Sequence, residues 1–125
     1  MNKCISRRVL IFDEAGFSKV CSALLEMSGC STDVMNESSG KLIDSDTGVF
    51  VTSYPYGAFM LEEVKKRSIP TIVLFDNIDD GFVMTLHDHD NLYGMIKPLD
   101  YDKFKDLVRK LLTGSKISRE DDGIL

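Results

Sequence analysis

The sequence predicts one α/β domain built on a parallel sheet with helices on both faces. Short apolar runs alternate with segments of helical period, the central runs are apolar almost without a break, and 125 residues suffice for a single core. The domain is expected over residues 1–114. The remainder, 115–125, is mostly polar, lacks apolar periodicity and is expected to be a flexible C-terminal tail.

The candidate strands are Val9 to Phe12, Thr32 to Met35, Val49 to Thr52, Thr71 to Phe75 and Tyr93 to Ile96. The first, third and fourth belong at the centre, because only a strand covered on both faces is apolar along its whole length. After the first run, Phe17, Val20, Cys21, Leu24 and Leu25 recur at helical spacing, which predicts an amphipathic helix that Gly29 terminates. Glu37 to Gly48, rich in Ser, Asp and Gly, is compatible with a short helix or a loop. Ala58 to Arg67 reads as a shorter helix, with Met60, Leu61 and Val64 toward the core and Lys65, Lys66 and Arg67 near its negative end. Ile78 to Leu86 has a weak apolar pattern, diluted by Asp79, Asp80 and Gly81. Phe104, Leu107, Val108, Leu111 and Leu112 repeat the helical spacing, with Asp100 as N-cap and Gly114 as C-cap.

Composition narrows the function. A net charge of -5, with no basic cluster beyond Arg7-Arg8 and Lys65-Lys66-Arg67, argues against a surface for nucleic acid. Val9 to Phe12 is too short for a signal-peptide core or a membrane span, so no membrane association and a cytoplasmic location are expected. Cys4, Cys21 and Cys30 have no CxxC spacing and read as buried or idle thiols, with a redox sensor as the sharper alternative. His87-Asp88-His89-Asp90 invites a metal reading, but no further ligand converges on it, and a solvated turn is the expectation. Tyr54, Pro55, Tyr56, Gly57, Phe59 and Met60 read first as a turn whose aromatics cap the core, and second as a docking surface. No nucleotide-binding or hydrolase motif occurs.

Three further segments share an order. Val9-Leu10-Ile11-Phe12-Asp13-Glu14 ends an apolar run in two acids, Ile69-Pro70-Thr71-Ile72-Val73-Leu74 leads a second, and Gly94-Met95-Ile96-Lys97-Pro98-Leu99 ends a third in Lys-Pro. On their own residues, the acids read as a strand end or helix start, and Lys-Pro as a turn opening the last helix. Together they resemble the receiver domains of two-component response regulators, the CheY-like family, over roughly residues 7 to 113. The resemblance implies a flavodoxin-like, doubly wound five-stranded parallel sheet in the order 2-1-3-4-5, with its site outside the carboxyl ends of the strands. It implies that Asp13 and Glu14 stand at the Mg²⁺-binding acidic pair and Lys97 at the phosphoryl-contacting lysine, turned inward by a Lys97-Pro98 bond commonly cis. Lys97 could equally form a structural ion pair with Asp13.

The sequence also departs from that family. The phosphoacceptor aspartate position falls on Thr52 or, with a one-residue shift, on Ser53 or Val51, and none is a carboxylate. An acyl phosphate needs a carboxylate nucleophile, and a hydroxyl with no adjacent base is a poor substitute. Asp44 and Asp46 precede the strand, at its far end. The switch Ser or Thr falls on Phe75, and the aromatic switch position falls near Tyr93, so a phosphate-gated shift has no visible driver. The resemblance therefore implies an atypical receiver, not an enzyme, acting by protein–protein interaction without conventional aspartyl phosphorylation. Its expected partners are a histidine kinase or an output protein, and a second copy through the face from Tyr93 to Leu112. No cofactor is required on this reading, with Mg²⁺ the one candidate. The alternative is a small flavodoxin-like metal-dependent enzyme using Asp13, Glu14 and Lys97.

Overall fold

Apolar runs and helical repeats fold in the alternating order β1 (Arg8–Phe12), α1 (Ala15–Met27), β2 (Ser31–Met35), β3 (Thr47–Tyr54), a 3₁₀ turn (Ala58–Met60) leading into α2 (Leu61–Lys66), β4 (Thr71–Phe75), α3 (Asp80–His87), β5 (Leu92–Ile96) and α4 (Tyr101–Thr113). The computed structural model describes residues 7–35, 46–54, 56–77, 80–97, 100–118 and 124. The strands pair in parallel in the order β2-β1-β3-β4-β5. The chain leaves β1 on one side to form β2 and continues on the other side with β3, so the switch in strand order lies between β1 and β3. Ligand sites in such sheets lie outside the carboxyl ends of the strands at that point.

Two-residue alternation divides the core between the two faces of the sheet. Val9, Ile11, Val49, Val51, Ile72, Leu74 and Met95 face one side, against Cys21 and Leu25 of α1 and Phe104, Leu107 and Val108 of α4. Leu10, Phe12, Phe50, Val73, Phe75 and Leu92 face the other, against Leu61 and Val64 of α2 and Leu86 of α3. Gly48 lies where the register between β1 and β3 shifts, and a Cβ there would stand 2.6 Å from Arg7 Cβ and 2.9 Å from Leu112 Cδ2. Only glycine lets β3 begin beneath α4. Arg8 grips Asp33 with two nitrogens, at 2.7 and 2.9 Å, and ties the edge strand β2 to β1.

Helix ends follow their capping chemistry. Asp100 Oδ1 accepts from the backbone N–H groups of Asp102 and Lys103, and Gly114 closes α4 at φ 73°. Gly29, at φ 90°, turns the chain out of α1, and Cys30 N donates to Leu25 O at 3.0 Å. The segment from Ala58 starts as a 3₁₀ turn and becomes α-helical only at Leu61, whose side chain is buried with Val64.

α3 forms within the stretch whose apolar pattern is weak. Leu86 is buried and Phe82 packs against the same cluster, so tertiary packing supplies what a diluted eight-residue pattern does not. Ile117 and Ile124, in the segment after α4, pack with the cluster that α1 and α4 share. Two isolated apolar residues carry no period, which is why the pattern hides them. Residues 36–45, covering most of the Glu37 to Gly48 segment and Asp44, lie outside the described residues, while Thr47 and Gly48 lengthen β3. Among the described residues no helix is long and apolar enough to cross a membrane.

Candidate functional site

Register assembles the site. Phe12 pairs with Thr52, so the next residues, Asp13 and Ser53, come level at the carboxyl ends of adjacent central strands. Alternation directs both toward the α1 face, and Lys97, two residues beyond Met95, approaches from the end of β5. Asp13 is 4% exposed. Its Oδ1 accepts from Glu14 N at 2.8 Å, and its Oδ2 accepts a hydrogen bond from Ser53 Oγ and lies 3.6 Å from Lys97 Nζ. A buried carboxylate needs such partners, and here every one is a donor or a cation.

The surroundings fix the trio. The buried Ser18 hydroxyl, in the first turn of α1, donates to Asp13 O at 3.0 Å and holds the strand-to-helix turn. Lys97 Nζ lies 4.3 Å from the centre of the Phe17 ring, a cation–π contact that keeps the ammonium over the site. Lys97 N donates to Phe75 O at 2.7 Å, extending the β4–β5 pairing to the site's edge. Pro98 lies outside the described residues, as does any effect of its peptide bond.

Thr52 and Ser53 have separate tasks. Thr52 is fully buried on the opposite face, where its Oγ1 donates to Phe12 O at 2.7 Å. Gly57 backs it: a Cβ at that position would overlap Thr52 Oγ1 and lie 2.9 Å from Thr52 Cβ. Ser53 is the residue that meets Asp13, on the same carboxylate oxygen that Lys97 approaches. The expectation of a hydroxyl without an adjacent base is therefore corrected, because the Asp13 carboxylate accepts directly from it.

Phe75 and Tyr93 are not brought together. Phe75 belongs to the α2–α3 face, where it contacts Tyr54 (ring centroids 5.7 Å) and Phe82 (5.4 Å), while Tyr54 and Phe82 stack at 4.1 Å. Tyr93 packs against the α1–α4 core on the other side of the sheet. Phe75 pairs with Ile96, so the β5 positions on its own side are Leu92, Gly94 and Ile96. Gly94, not Tyr93, occupies the place from which an aromatic ring could reach Phe75.

The donor set is a poor match for Mg²⁺, which takes carboxylate, phosphoryl and water oxygens in octahedral array. Glu14 is exposed, both Asp13 oxygens are engaged, and the Lys97 ammonium stands where a cation would approach Oδ2. No group of three or more His, Cys, Asp or Glu side chains among the described residues could hold a metal ion, the His87 to Asp90 turn included. Asp79 lies outside the described residues. Burial and, second, the Asp13 charge push the Cys21 thiol up to about 12, with Lys97 opposing, and burial raises Cys30 against the opposing charge of Arg109. Neither thiol has the depressed pKa of a redox sensor. Cys4 lies outside the described residues.

The sequence singled out Asp13, Lys97 and, among its alternatives, Ser53, which the fold brings to one carboxylate, but it did not attach Phe17, Ser18 or Gly57 to them. The available signals were modest: Phe17 and Ser18 lie in the first turn after Asp13, and Gly57 follows the strand by three residues.

The doubly wound sheet and its carboxyl-end cluster define a flavodoxin-like architecture, and solved structures place it more closely. The chain is similar to a CheY-like response regulator receiver domain protein from Methanospirillum hungatei JF-1, with TM-score 0.71 and 16% identity over 86% of this chain and 94% of that one. It is similar to a receiver domain protein from Clostridium thermocellum, with TM-score 0.68 and 19% identity over 86% and 95% of the two chains. It is also similar to the ChxR receiver domain from Chlamydia trachomatis, with TM-score 0.57 and 16% identity over 86% and 98%. The fold is thus that of CheY-like receiver domains. No protein-family model matches the sequence, and no curated protein matches it either.

Proposed function

We propose that the chain is an atypical receiver domain of a two-component-type signalling system, acting through protein association without conventional aspartyl phosphorylation. The observation that carries this reading is the engagement of Asp13 by Ser53, Lys97 and the Glu14 N–H at the switch point of a receiver fold. The acceptor position is a serine, and the lysine that would meet a phosphoryl group is paired with a carboxylate instead. Phe75, held in an aromatic cluster, offers no hydroxyl to swing toward the site. The metal position at Asp13 and Glu14 is vestigial, and the metal-dependent enzyme reading finds no support in a donor set with Glu14 turned to solvent.

Recognition then rests on shape and surface. The face of β5 and α4, residues 93–112, carries the exposed Ile96 and Tyr101 and serves docking to a histidine kinase or output protein, or self-association. The protein is not an enzyme and works in the cytoplasm. Incubation with Mg²⁺ and acetyl phosphate tests the reading: no hydroxylamine-labile adduct is expected, and a labile acyl phosphate on any aspartate would contradict it.

A further inference from the structure

The hydroxyl at the acceptor position has the surroundings of an activated nucleophile. Ser53 Oγ donates to Asp13 Oδ2, Asp13 is oriented by the Glu14 N–H and by Ser18 on its own carbonyl, and Lys97 stands 3.6 Å from the same oxygen. Nucleophile, base, orienting group and cation therefore converge on one point, the arrangement by which a weak hydroxyl is made reactive. Phosphoryl transfer suits a carboxylate base in particular. Its loose transition state asks little of the nucleophile until late, and an aspartate then takes the hydroxyl proton while a cation neutralises the phosphoryl oxygens. Thr52 has no such neighbours, because its hydroxyl is directed to Phe12 O on the other face.

We propose that Ser53 is a phosphoryl-acceptor hydroxyl, activated by Asp13 and served by Lys97, that takes its phosphoryl group from a small acyl phosphate and forms a phosphate monoester. The bond from phosphorus to the donor's carboxyl oxygen breaks, the bond to Ser53 Oγ forms, the carboxylate leaves, and the serine proton passes to Asp13 Oδ2 and on to solvent. The product is a stable ester rather than a labile acyl phosphate, so the mark is slow to form and long-lived. Lys97, whose side chain is 21% exposed, marks the side from which the donor approaches. The proposal rests on the reading of this site as a receiver site without its aspartate.

The test is incubation of the full chain with acetyl phosphate, followed by hydroxylamine treatment and peptide mapping by mass spectrometry. A hydroxylamine-stable phosphoryl group on Ser53 is expected, absent in Ser53→Ala and formed at least about 100-fold more slowly in Asp13→Asn, with folding of both checked by circular dichroism. Lys97→Gln, which leaves the base in place, should slow it as well. No adduct, a stable adduct elsewhere, or an unchanged rate in Asp13→Asn would overturn this proposal and leave the association reading standing. A hydroxylamine-labile adduct would overturn both.

Discussion

Thr52 and Ser53 are adjacent hydroxyls with opposite fates, because successive strand residues face opposite sides of the sheet. With no Cβ at position 57, Thr52 fits against the turn after β3 and keeps its hydroxyl on Phe12 O, while Ser53 on the other face donates to Asp13. Gly57→Ala would force Thr52 or the turn to move, and overpacking of this kind costs about 1–3 kcal/mol. A lowered midpoint in urea unfolding is the expected result. The sequence left Thr52, Ser53 and Val51 open because a run of apolar and hydroxyl residues has no internal mark of register. Register with β1 places Ser53, not Thr52, beside Asp13, since Phe12 pairs with Thr52 and Asp13 is the next residue. The Lys97–Asp13 pair was legible only through the resemblance, because β3 and β4 lie between β1 and β5 and the long lysine side chain spans that distance at the carboxyl edge.

At the scale of elements, β4 and α3 are joined by aromatic contacts centred on Phe75. Phe75 is 1% exposed and lies against Tyr54 and Phe82, so truncating it leaves a cavity between strand and helix. Phe75→Ala should cost about 3–5 kcal/mol in denaturant unfolding. Amide exchange in α3 should quicken at the same time, because Phe82 loses a partner. α1 and α4 were readable from the sequence, since each carries a full apolar stripe and a glycine at its end. α3 was not, because eight residues containing Gly81 and Asp80 depend on burial of Phe82 and Leu86 that no local pattern announces. Tyr93 shows the same limit in a strand. The resemblance set the aromatic switch position near Tyr93, whereas the pairing of Phe75 with Ile96 places Tyr93 on the other face.

For the whole molecule, the strand order and the two helical layers followed from the apolar runs and the resemblance, and the solved receiver domains share them. The chemistry at the carboxyl edge depends on three residues from strands far apart in sequence, and only the folded sheet shows that they satisfy one another. A receiver that changes shape needs a ligand with different affinity for two states. With Ser53 and Lys97 both engaged by Asp13, an acyl-phosphate mimic finds no carboxylate at position 53 to bind. The most direct measurement is therefore the amide NMR spectrum of the full chain titrated with Mg²⁺ and beryllofluoride. An unchanged spectrum is expected; saturable shifts centred on Ser53, Lys97 and the β5–α4 face would contradict the proposed loss of the aspartyl phosphate switch.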